Sequence, residues 1–199
     1  MKAAPLIGIS RHRLSTDGEG VTTLVAFHGC PLRCKYCLNP QSLHSEGIWK
    51  NYDCEQLYEE VRQDELYFLA TNGGITFGGG EPCLQSDFIY EFRQLCGQEW
   101  QLSVETSLNV TQENIEKLVP VVDSYIIDIK DINNTIYQKY TGKNNEKVLH
   151  NLQYLIEHGK NEQIIVRTPV IPAYNTENDV DNSIRLLKEM GIIQFDRFT

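Results

Sequence analysis

The chain has 199 residues, of which 41% are hydrophobic and 23% are charged, as in an ordinary globular protein with a buried core. Its formal net charge of −9 argues against nucleic acid as a partner, because nucleic acid needs a basic face. No apolar run is long enough to cross a membrane, and the apolar stretch up to Ile9 is too short to suggest a signal peptide. With six cysteines and no secretion signal, we expect a reducing, cytoplasmic compartment.

Strand-like and helix-like segments alternate along the chain. Apolar, β-branched segments predict strands over 21–27, 75–77, 102–105, 121–129 and 164–170, with a candidate sixth strand over 195–198. Helical spacing and capping residues predict helices over 53–70, 86–96 and 111–120, two helical pieces divided by Gly142 and ending at Gly159, and a last helix over 176–191. We expect Asp53 and Ser86 to cap their helices, and Thr176 and Asp179 to form a capping box.

This alternation predicts parallel βαβ units. Five or six units are too few for a closed eight-fold barrel. We therefore expect an α/β fold, an open partial barrel of five or six βα units, and a single domain over 1–199.

A cysteine-rich loop follows the first predicted strand. Cys30, Cys34 and Cys37 stand at C-x3-C-x2-C spacing, while the three remaining cysteines form no second cluster of ligands. A 4Fe–4S cluster takes four ligands, so three cysteines leave one iron open. S-adenosylmethionine (SAM) suits that position, because its amine and carboxylate can chelate the iron and an electron can then cleave its sulfonium. With Tyr36 before the last cysteine, the loop has the signature of the radical SAM superfamily.

Two other interpretations of the loop remain open. The three thiols could hold zinc with His28 or His44 as the fourth ligand. Cys34 and Cys37 could instead form a redox pair at C-x2-C spacing.

Distinctive groups also follow the later strands: Gly79, Gly80 and Glu81; Glu105 and Ser107; Asp128, Ile129 and Lys130; and Arg167. In barrels of this kind the chemistry lies where strands end. Glu81, or the carbonyls around it, could accept from the SAM ammonium, and Lys130 could pair with its carboxylate. Glu105 and Asp128 could bind a monovalent cation or ribose. Each group alone is more often structural; their joint position at one sheet edge favours a site.

The order of these motifs resembles that of the glycyl-radical-enzyme activating enzymes. The resemblance rests on Asp17-Gly18-Glu19-Gly20, the cysteine loop with Leu38-Asn39-Pro40, Gly79-Gly80-Glu81-Pro82, Glu105-Thr106, Asp128-Ile129-Lys130 and Tyr140-Thr141-Gly142. It implies that the three cysteines hold a 4Fe–4S cluster and that Tyr36 and Leu38 touch the adenine of SAM. It also implies that Gly79, Gly80 and Glu81 meet the SAM amino group, and that Arg167 approaches SAM or a peptide. The partners implied are a glycyl radical enzyme as protein substrate and a flavodoxin or ferredoxin as electron donor.

The chain departs from that pattern in several places. Glu19 stands where a proline is usual, and Thr22 where an arginine is common. The chain stops at Thr199, about where the sixth strand would deliver a SAM-contacting histidine, so we expect a truncated chain or a minimal family member. Two rival functions are a radical SAM enzyme for a small molecule or nucleotide precursor, such as a carboxy-deazaguanine synthase, and a non-enzymatic metal-binding module.

Overall fold

The computed structural model describes residues 3–14 and 17–198, and within these ranges it contains one eight-stranded sheet. The strands are β1 (Ala4–Leu14), β2 (Val21–Phe27), β3 (Lys50–Tyr52), β4 (Gly74–Gly79), β5 (Gln101–Thr106), β6 (Ser124–Asp128), β7 (Ile164–Pro169) and β8 (Gln194–Phe198). Their order across the sheet is β3-β1-β2-β4-β5-β6-β7-β8. Six strands pair in parallel, namely β2, β4, β5, β6, β7 and β8, whereas β1 runs antiparallel to both of its neighbours, β2 and β3.

Helices join successive parallel strands. They are α1 (Cys54–Val61), α2 (Glu65–Thr71), α3 (Ser86–Cys96), α4 (Gln112–Leu118), α5 (Asn134–Thr141), α6 (Glu146–Glu157) and α7 (Glu177–Glu189). The predicted open α/β partial barrel is confirmed, including the sixth parallel strand, which is β8. Within the described ranges, no helix is long and apolar enough to span a bilayer.

The first strand was not predicted from the sequence. Only its first residues are apolar, and the Arg11-His12-Arg13 run that follows looks like an exposed loop. In the structure β1 pairs with β2 along its length, with irregular register between Ser10 and Arg13 and a positive φ of 56° at His12. This irregularity explains why a simple alternating pattern is missing.

The helix predicted over 53–70 is wrong as a single element. It breaks into α1 and α2 at a 3-10 turn, Arg62–Asp64, because the carboxylate of Asp64 is pulled into the sheet. That side chain is fully buried and accepts hydrogen bonds from Arg11 Nε at 2.7 Å and Thr23 Oγ1 at 2.9 Å. Because its carboxylate is bound to β1 and β2, Asp64 cannot lie on the exposed face of one continuous helix.

Two further local predictions are corrected. Ser86 lies inside α3 rather than capping it, and its hydroxyl donates to Asn114 Oδ1 at 2.8 Å. The fourth predicted strand begins at Ser124 rather than at Val121, because Val121 is buried in the preceding turn. The capping roles of Asp53 and Thr176 are confirmed, and Gly142 ends α5 in the left-handed conformation.

The two faces of the sheet differ in polarity. On β5, Leu102 and Val104 are fully buried in the core, whereas Ser103 and Glu105 lie on the opposite face. Helix α3 packs on the apolar face, where the rings of Phe77 and Phe92 lie 5.6 Å apart. The opposite, concave face is therefore polar, and it leads up to the carboxyl ends of the strands.

Arg93 holds the turn between α3 and the next two strands together, and its loss is expected to be costly. Its guanidinium, in a side chain only 1% exposed, donates to the carbonyls of Val121, Gly97 and Trp100 at 2.8–2.9 Å and pairs with Asp123. We expect Arg93→Leu to lower the free energy of unfolding by about 3–5 kcal/mol, because several buried acceptors lose their donor.

Urea unfolding of the metal-free protein measures this change. The control is Arg185→Leu, which removes an exposed pair with Glu189 and should cost less than about 1 kcal/mol. Equal losses in the two variants would contradict the structural role of Arg93.

Candidate metal and cofactor site

The cysteine loop leaves β2 and is fixed by backbone hydrogen bonds on two sides. On one side, the N–H groups of Gly80 and Glu81 donate to the carbonyls of Phe27 and Gly29, which ties the loop to the end of β4. On the other side, the N–H groups of Arg33 and Lys35 donate to the carbonyls of Thr141 and Tyr140 at the end of α5. The loop is thus positioned at the carboxyl edge of the sheet, where we expected the site.

The environment of the thiols in the loop is compatible with an iron–sulfur cluster. Burial raises the pKa of Cys30 to about 12, although a backbone N–H of Leu32 directed at its sulfur opposes the rise. Burial also raises the pKa of Cys34. A half-buried thiol of this kind loses its proton when a metal binds, and N–H groups directed at sulfur are typical of cluster sites.

Among the residues that the structure describes, no three cysteine, histidine or carboxylate side chains converge on a point that could hold a single metal ion. In a 4Fe–4S cluster each thiolate binds a different iron, so its three cysteines need not converge on a single point.

The zinc interpretation receives no support from the histidines. The ring nitrogen Nε2 of His28 lies 2.8 Å from the carbonyl oxygen of His44, so it is already engaged with the backbone. His28 therefore serves to hold the segment after the cysteine loop.

Two glycines of β4 and its following turn allow the chain to approach the cysteine loop. A Cβ on Gly79, whose φ is +89°, would lie 2.8 Å from Ala26 Cα, and a Cβ on Gly80 would lie 2.2 Å from the carbonyl oxygen of Gly29. Glycine is needed at both positions because β4 and its turn pack closely against β2 and the cysteine loop. The carbonyl of Gly79 also accepts from Asn39 Nδ2 at 3.1 Å.

Glu81 links the ends of two strands. Its side chain is buried, with the residue 1% exposed, and its carboxylate accepts hydrogen bonds from Thr106 Oγ1 at 2.6 Å, Ser107 Oγ at 2.6 Å and Ser107 N at 2.9 Å. The N–H of Cys83 lies 3.2 Å from the same carboxylate. This carboxylate is therefore occupied by the protein, and it fixes the orientation of Ser107 at the end of β5.

Glu81→Gln is expected to destabilise the end of β5. The amide nitrogen would face donors on Thr106 or Ser107, and we expect a loss of about 1.5–3 kcal/mol in the free energy of unfolding, as for a hydrogen bond to a charged group. Urea unfolding of the metal-free protein gives the number. Ser107→Ala, which removes one of the hydroxyl donors, should cost less, and a Gln variant as stable as the unsubstituted protein would contradict this role.

A chain of four charged side chains runs along the strand ends. Arg167 Nη1 lies 2.9 Å from Glu105 Oε1, and Arg167 Nε lies 2.7 Å from Asp128 Oδ1. Asp128 Oδ2 in turn lies 3.0 Å from Lys130 Nζ. The predicted residues of β5, β6 and β7 thus form one network, and the guanidinium occupies the space between the two carboxylates that were candidates for a cation.

The network keeps Asp128 and Lys130 charged. Burial tends to raise the pKa of Asp128, but the nearby charges of Lys130 and Arg167 outweigh it and hold this pKa below its usual range. Burial tends to lower the pKa of Lys130, but Asp128 and then Cys34 raise it above its ordinary value. The charge of Lys130 also works to lower the pKa of Cys34. Lys130 is therefore a fixed positive charge beside the cysteine loop.

Ile129 separates Asp128 and Lys130 in the sequence. It is buried, and its N–H donates to the carbonyl of Arg167 at 3.0 Å, which extends the pairing of β6 and β7 by one residue. Side chains at positions 128 and 130 are thereby set on either side of it.

Tyrosines surround the outer side of the cysteine loop. The ring centroid of Tyr36 lies 6.2 Å from that of Tyr140 and 5.9 Å from that of Tyr174, while Tyr140 and Tyr174 are 5.1 Å apart. Tyr36 and Leu38 are 55% and 92% exposed, so both are open to a ligand or partner. Sequence reasoning missed Tyr174; its position a few residues past the end of β7 was the available signal.

The concave face of the sheet contains a cleft of about 480 Å³. Polar and charged side chains dominate its lining, among them Ser103, Ser124, Gln194, Asp196 and Arg167. Arg167 belongs both to this cleft and to the charge network, so the cleft leads towards the strand ends.

Comparison with known proteins gives the class of this fold and site. Residues 24–192 match the model of the radical SAM superfamily, and the chain belongs to that superfamily. The structure of SuiB from Streptococcus suis bound to S-adenosylmethionine superimposes with a TM-score of 0.67 at 14% identity, over 87% of this chain and 41% of that one. This likeness supports the fold.

The curated relatives narrow the class. The (2S)-3-sulfopropanediol dehydratase activating enzyme of Klebsiella oxytoca is 30% identical over 88% of this chain and 74% of its own length. Pyruvate formate-lyase 2-activating enzyme of Escherichia coli is 27% identical over 98% of this chain and 78% of its own length. Within the superfamily, the chain belongs with the glycyl-radical-enzyme activating enzymes.

Proposed function

We propose that this protein generates a glycyl radical on a partner enzyme, using a 4Fe–4S cluster and SAM. The observation that carries the proposal is its similarity, over most of its length, to proteins named as activating enzymes. The charge network beside the cysteine loop supports it, because it offers a fixed cation for the carboxylate of SAM.

Cys30, Cys34 and Cys37 hold the cluster through their thiolates. A 4Fe–4S cluster held there would supply one electron for the cleavage of SAM to methionine and an adenosyl radical, which would take a hydrogen atom from a glycine α-carbon of the partner. The work of the chain is to bind, to orient and to exclude water from the reacting groups.

SAM is bound by polar groups at the strand ends. Lys130 pairs with its carboxylate, and the backbone carbonyls of Gly79 and Gly80 accept from its ammonium. Glu81 supports that segment and Ser107, because its own carboxylate is already occupied. Leu38 and the backbone of Tyr36 contact the adenine, and the exposed ring of Tyr36 stays at the surface.

The remaining predicted residues act around this centre. Asp128 fixes Lys130, and Ile129 keeps β6 and β7 paired. Glu105 and Asp128 hold Arg167 towards the concave face, where it meets SAM or the incoming peptide. A monovalent cation at the two carboxylates would have to displace this guanidinium.

The substrate is a peptide loop that enters along the concave face. The polar cleft can bond to its backbone, and a glycine brings its α-carbon close because it has no side chain. Reacting atoms need to approach to about 3–3.5 Å, so the partner must open its glycine loop locally.

A flavodoxin or ferredoxin supplies the electron. We place the enzyme in the cytoplasm, because all six cysteines are free and an iron–sulfur cluster on thiolates needs reduced cysteines.

The deciding experiment combines the reconstituted protein, SAM, dithionite and a candidate glycyl radical enzyme without oxygen. We expect a doublet EPR signal that collapses when the partner's glycine carries deuterium at its α-carbon. A partner with alanine in place of that glycine is the control. If SAM is cleaved but neither candidate enzymes nor glycine peptides ever yield the radical, a small-molecule substrate should replace this proposal.

A further inference from the structure

The cysteine loop and the segment bonded to it contain basic residues and no acidic ones, although the chain as a whole is acidic. The chain has 27 acidic residues and a net charge of −9, yet residues 20–45 and 132–145 contain no aspartate or glutamate. The backbone bonds from Arg33 and Lys35 to Thr141 and Tyr140 bring these two segments together. Two segments without acidic residues therefore lie side by side at the loop.

Four basic side chains on this surface, Arg33, Lys35, Lys139 and Lys143, form what we call the basic rim. All four are exposed, and none pairs with a carboxylate in the part of the chain that the structure describes. The other seven arginines all make such pairs. Arg33 instead donates to the carbonyls of Cys30 and Leu32, so its charge remains available to a partner.

The tyrosines supply an aromatic centre within this rim. Tyr36 is half exposed and packs on Tyr140 and Tyr174, and Lys139 Nζ lies 5.6 Å from the ring centroid of Tyr174. An aromatic centre with a charged, solvent-accessible border is typical of protein–protein interfaces. The acidic residue next to the second segment is Asp131, which is buried and accepts a hydrogen bond from the backbone N–H of Asn133 at 2.8 Å. The other ends of the two segments are bordered by Glu19, Glu46 and Glu146.

We propose that the basic rim and its tyrosines dock an acidic protein that carries single electrons. This inference rests on the proposed function, which requires an electron to reach the cluster. One electron passes from the reduced carrier to the oxidised cluster; no bond forms or breaks, and no group is transferred. The surface lies directly over the cysteine loop, whereas the peptide's entry, the concave cleft, is lined partly by carboxylates such as Glu162 and Asp196.

Charge reversal at two rim lysines tests the proposal. The probe is an acidic flavodoxin, and the variant is Lys139→Glu with Lys143→Glu, which leaves the cysteine loop intact. We expect the second-order rate of cluster reduction by reduced flavodoxin to fall at least about tenfold at low ionic strength, and the deficit to shrink as salt is added. Binding of oxidised flavodoxin, measured by titration calorimetry, should weaken in parallel, while dithionite-driven SAM cleavage stays unchanged.

The matched control is Lys188→Glu with Lys160→Glu. Lys188 lies in the last turn of α7, as Lys139 lies in the last turn of α5, and Lys160 lies in the turn after α6, as Lys143 does after α5. Equal rate losses in the two double variants would overturn the proposal, as would an unchanged rate in the rim variant.

Two outcomes separate this proposal from others. If the rim variant is reduced normally but forms less glycyl radical with dithionite, the surface belongs to the substrate enzyme instead, and the proposal is overturned. Failure of the glycyl radical assay in the unsubstituted protein would refute the proposed function alone, because the flavodoxin reduction rate does not depend on that substrate.

Discussion

Cys34→Ala is expected to abolish both iron uptake and SAM cleavage. The cysteine loop provides three thiols, and a variant with two cannot hold a 4Fe–4S cluster with one open iron. After anaerobic reconstitution we expect the unsubstituted protein to be brown, with about four irons per chain by that stoichiometry. The variant should be colourless and should form 5′-deoxyadenosine only at background rates.

Cys96→Ala is the control for loss of a thiol. Cys96 ends α3 on the other layer of the molecule, and burial raises its pKa to about 11, as expected for a packing residue. That variant should keep its iron and its activity. A Cys34 variant that retains the cluster, or stoichiometric zinc in the unsubstituted protein, would show that the loop is not an iron–sulfur site.

Lys130→Ala is expected to weaken SAM binding by about ten- to a hundredfold while the cluster stays in place. A charge-assisted contact to the SAM carboxylate contributes about 1.5–3 kcal/mol. Because Asp128 raises the pKa of Lys130, the ammonium stays charged as the pH rises through the ordinary range for lysine. SAM affinity should therefore not decline through loss of this charge until the pH has passed about 10.4, the ordinary value for lysine.

Titration of the reconstituted protein with SAM, followed by the change in its EPR signal, measures the affinity. Lys143→Ala removes an exposed positive charge outside the network and controls for a general change of potential. Affinity that is the same in the Lys130 and Lys143 variants would rule out the specific contact.

Local patterns were enough to predict the parallel part of the sheet. β2, β4, β5, β6 and β7 are short and contain runs of apolar or β-branched residues, and helices separate them, so these strands can be found in the sequence. β8 is mostly polar, and its two phenylalanines were the only signal for it. The cysteine loop and Lys130 follow strands directly. Because parallel strands end at a common edge of the sheet, it could be predicted that the cysteine loop and Lys130 lie together at that edge.

Side-chain partners could not be predicted in the same way. Arg167 joins Glu105 and Asp128 across 62 and 39 residues of sequence, and such a bridge depends on the register of three strands. Glu81 was expected to face a ligand, but its carboxylate turns to Thr106 and Ser107 on the next strand. The spacing of residues along the sequence does not show which hydrogen-bond donor a buried carboxylate such as Glu81 will pair with.

β1 and the break between α1 and α2 share one cause. Asp64 is drawn to Arg11 and Thr23 on β1 and β2, which ends the helix early. The sequence pattern predicts a solvated helical position for Asp64 and a loop for Arg11. The buried position of Asp64 depends on its contact with Arg11, and a local pattern does not contain that contact.

The backbone attachment of the cysteine loop bears on how the protein withstands oxygen. The bonds from Gly80, Glu81, Arg33 and Lys35 that fix the loop do not use the thiols, and Leu32 remains buried beneath it. When air destroys the cluster, the loop should therefore keep its path and the fold its cooperativity. Damage of this kind is repairable by supplying iron, sulfide and a reductant, without a cycle of unfolding, and a cell can recover the same molecule instead of making another.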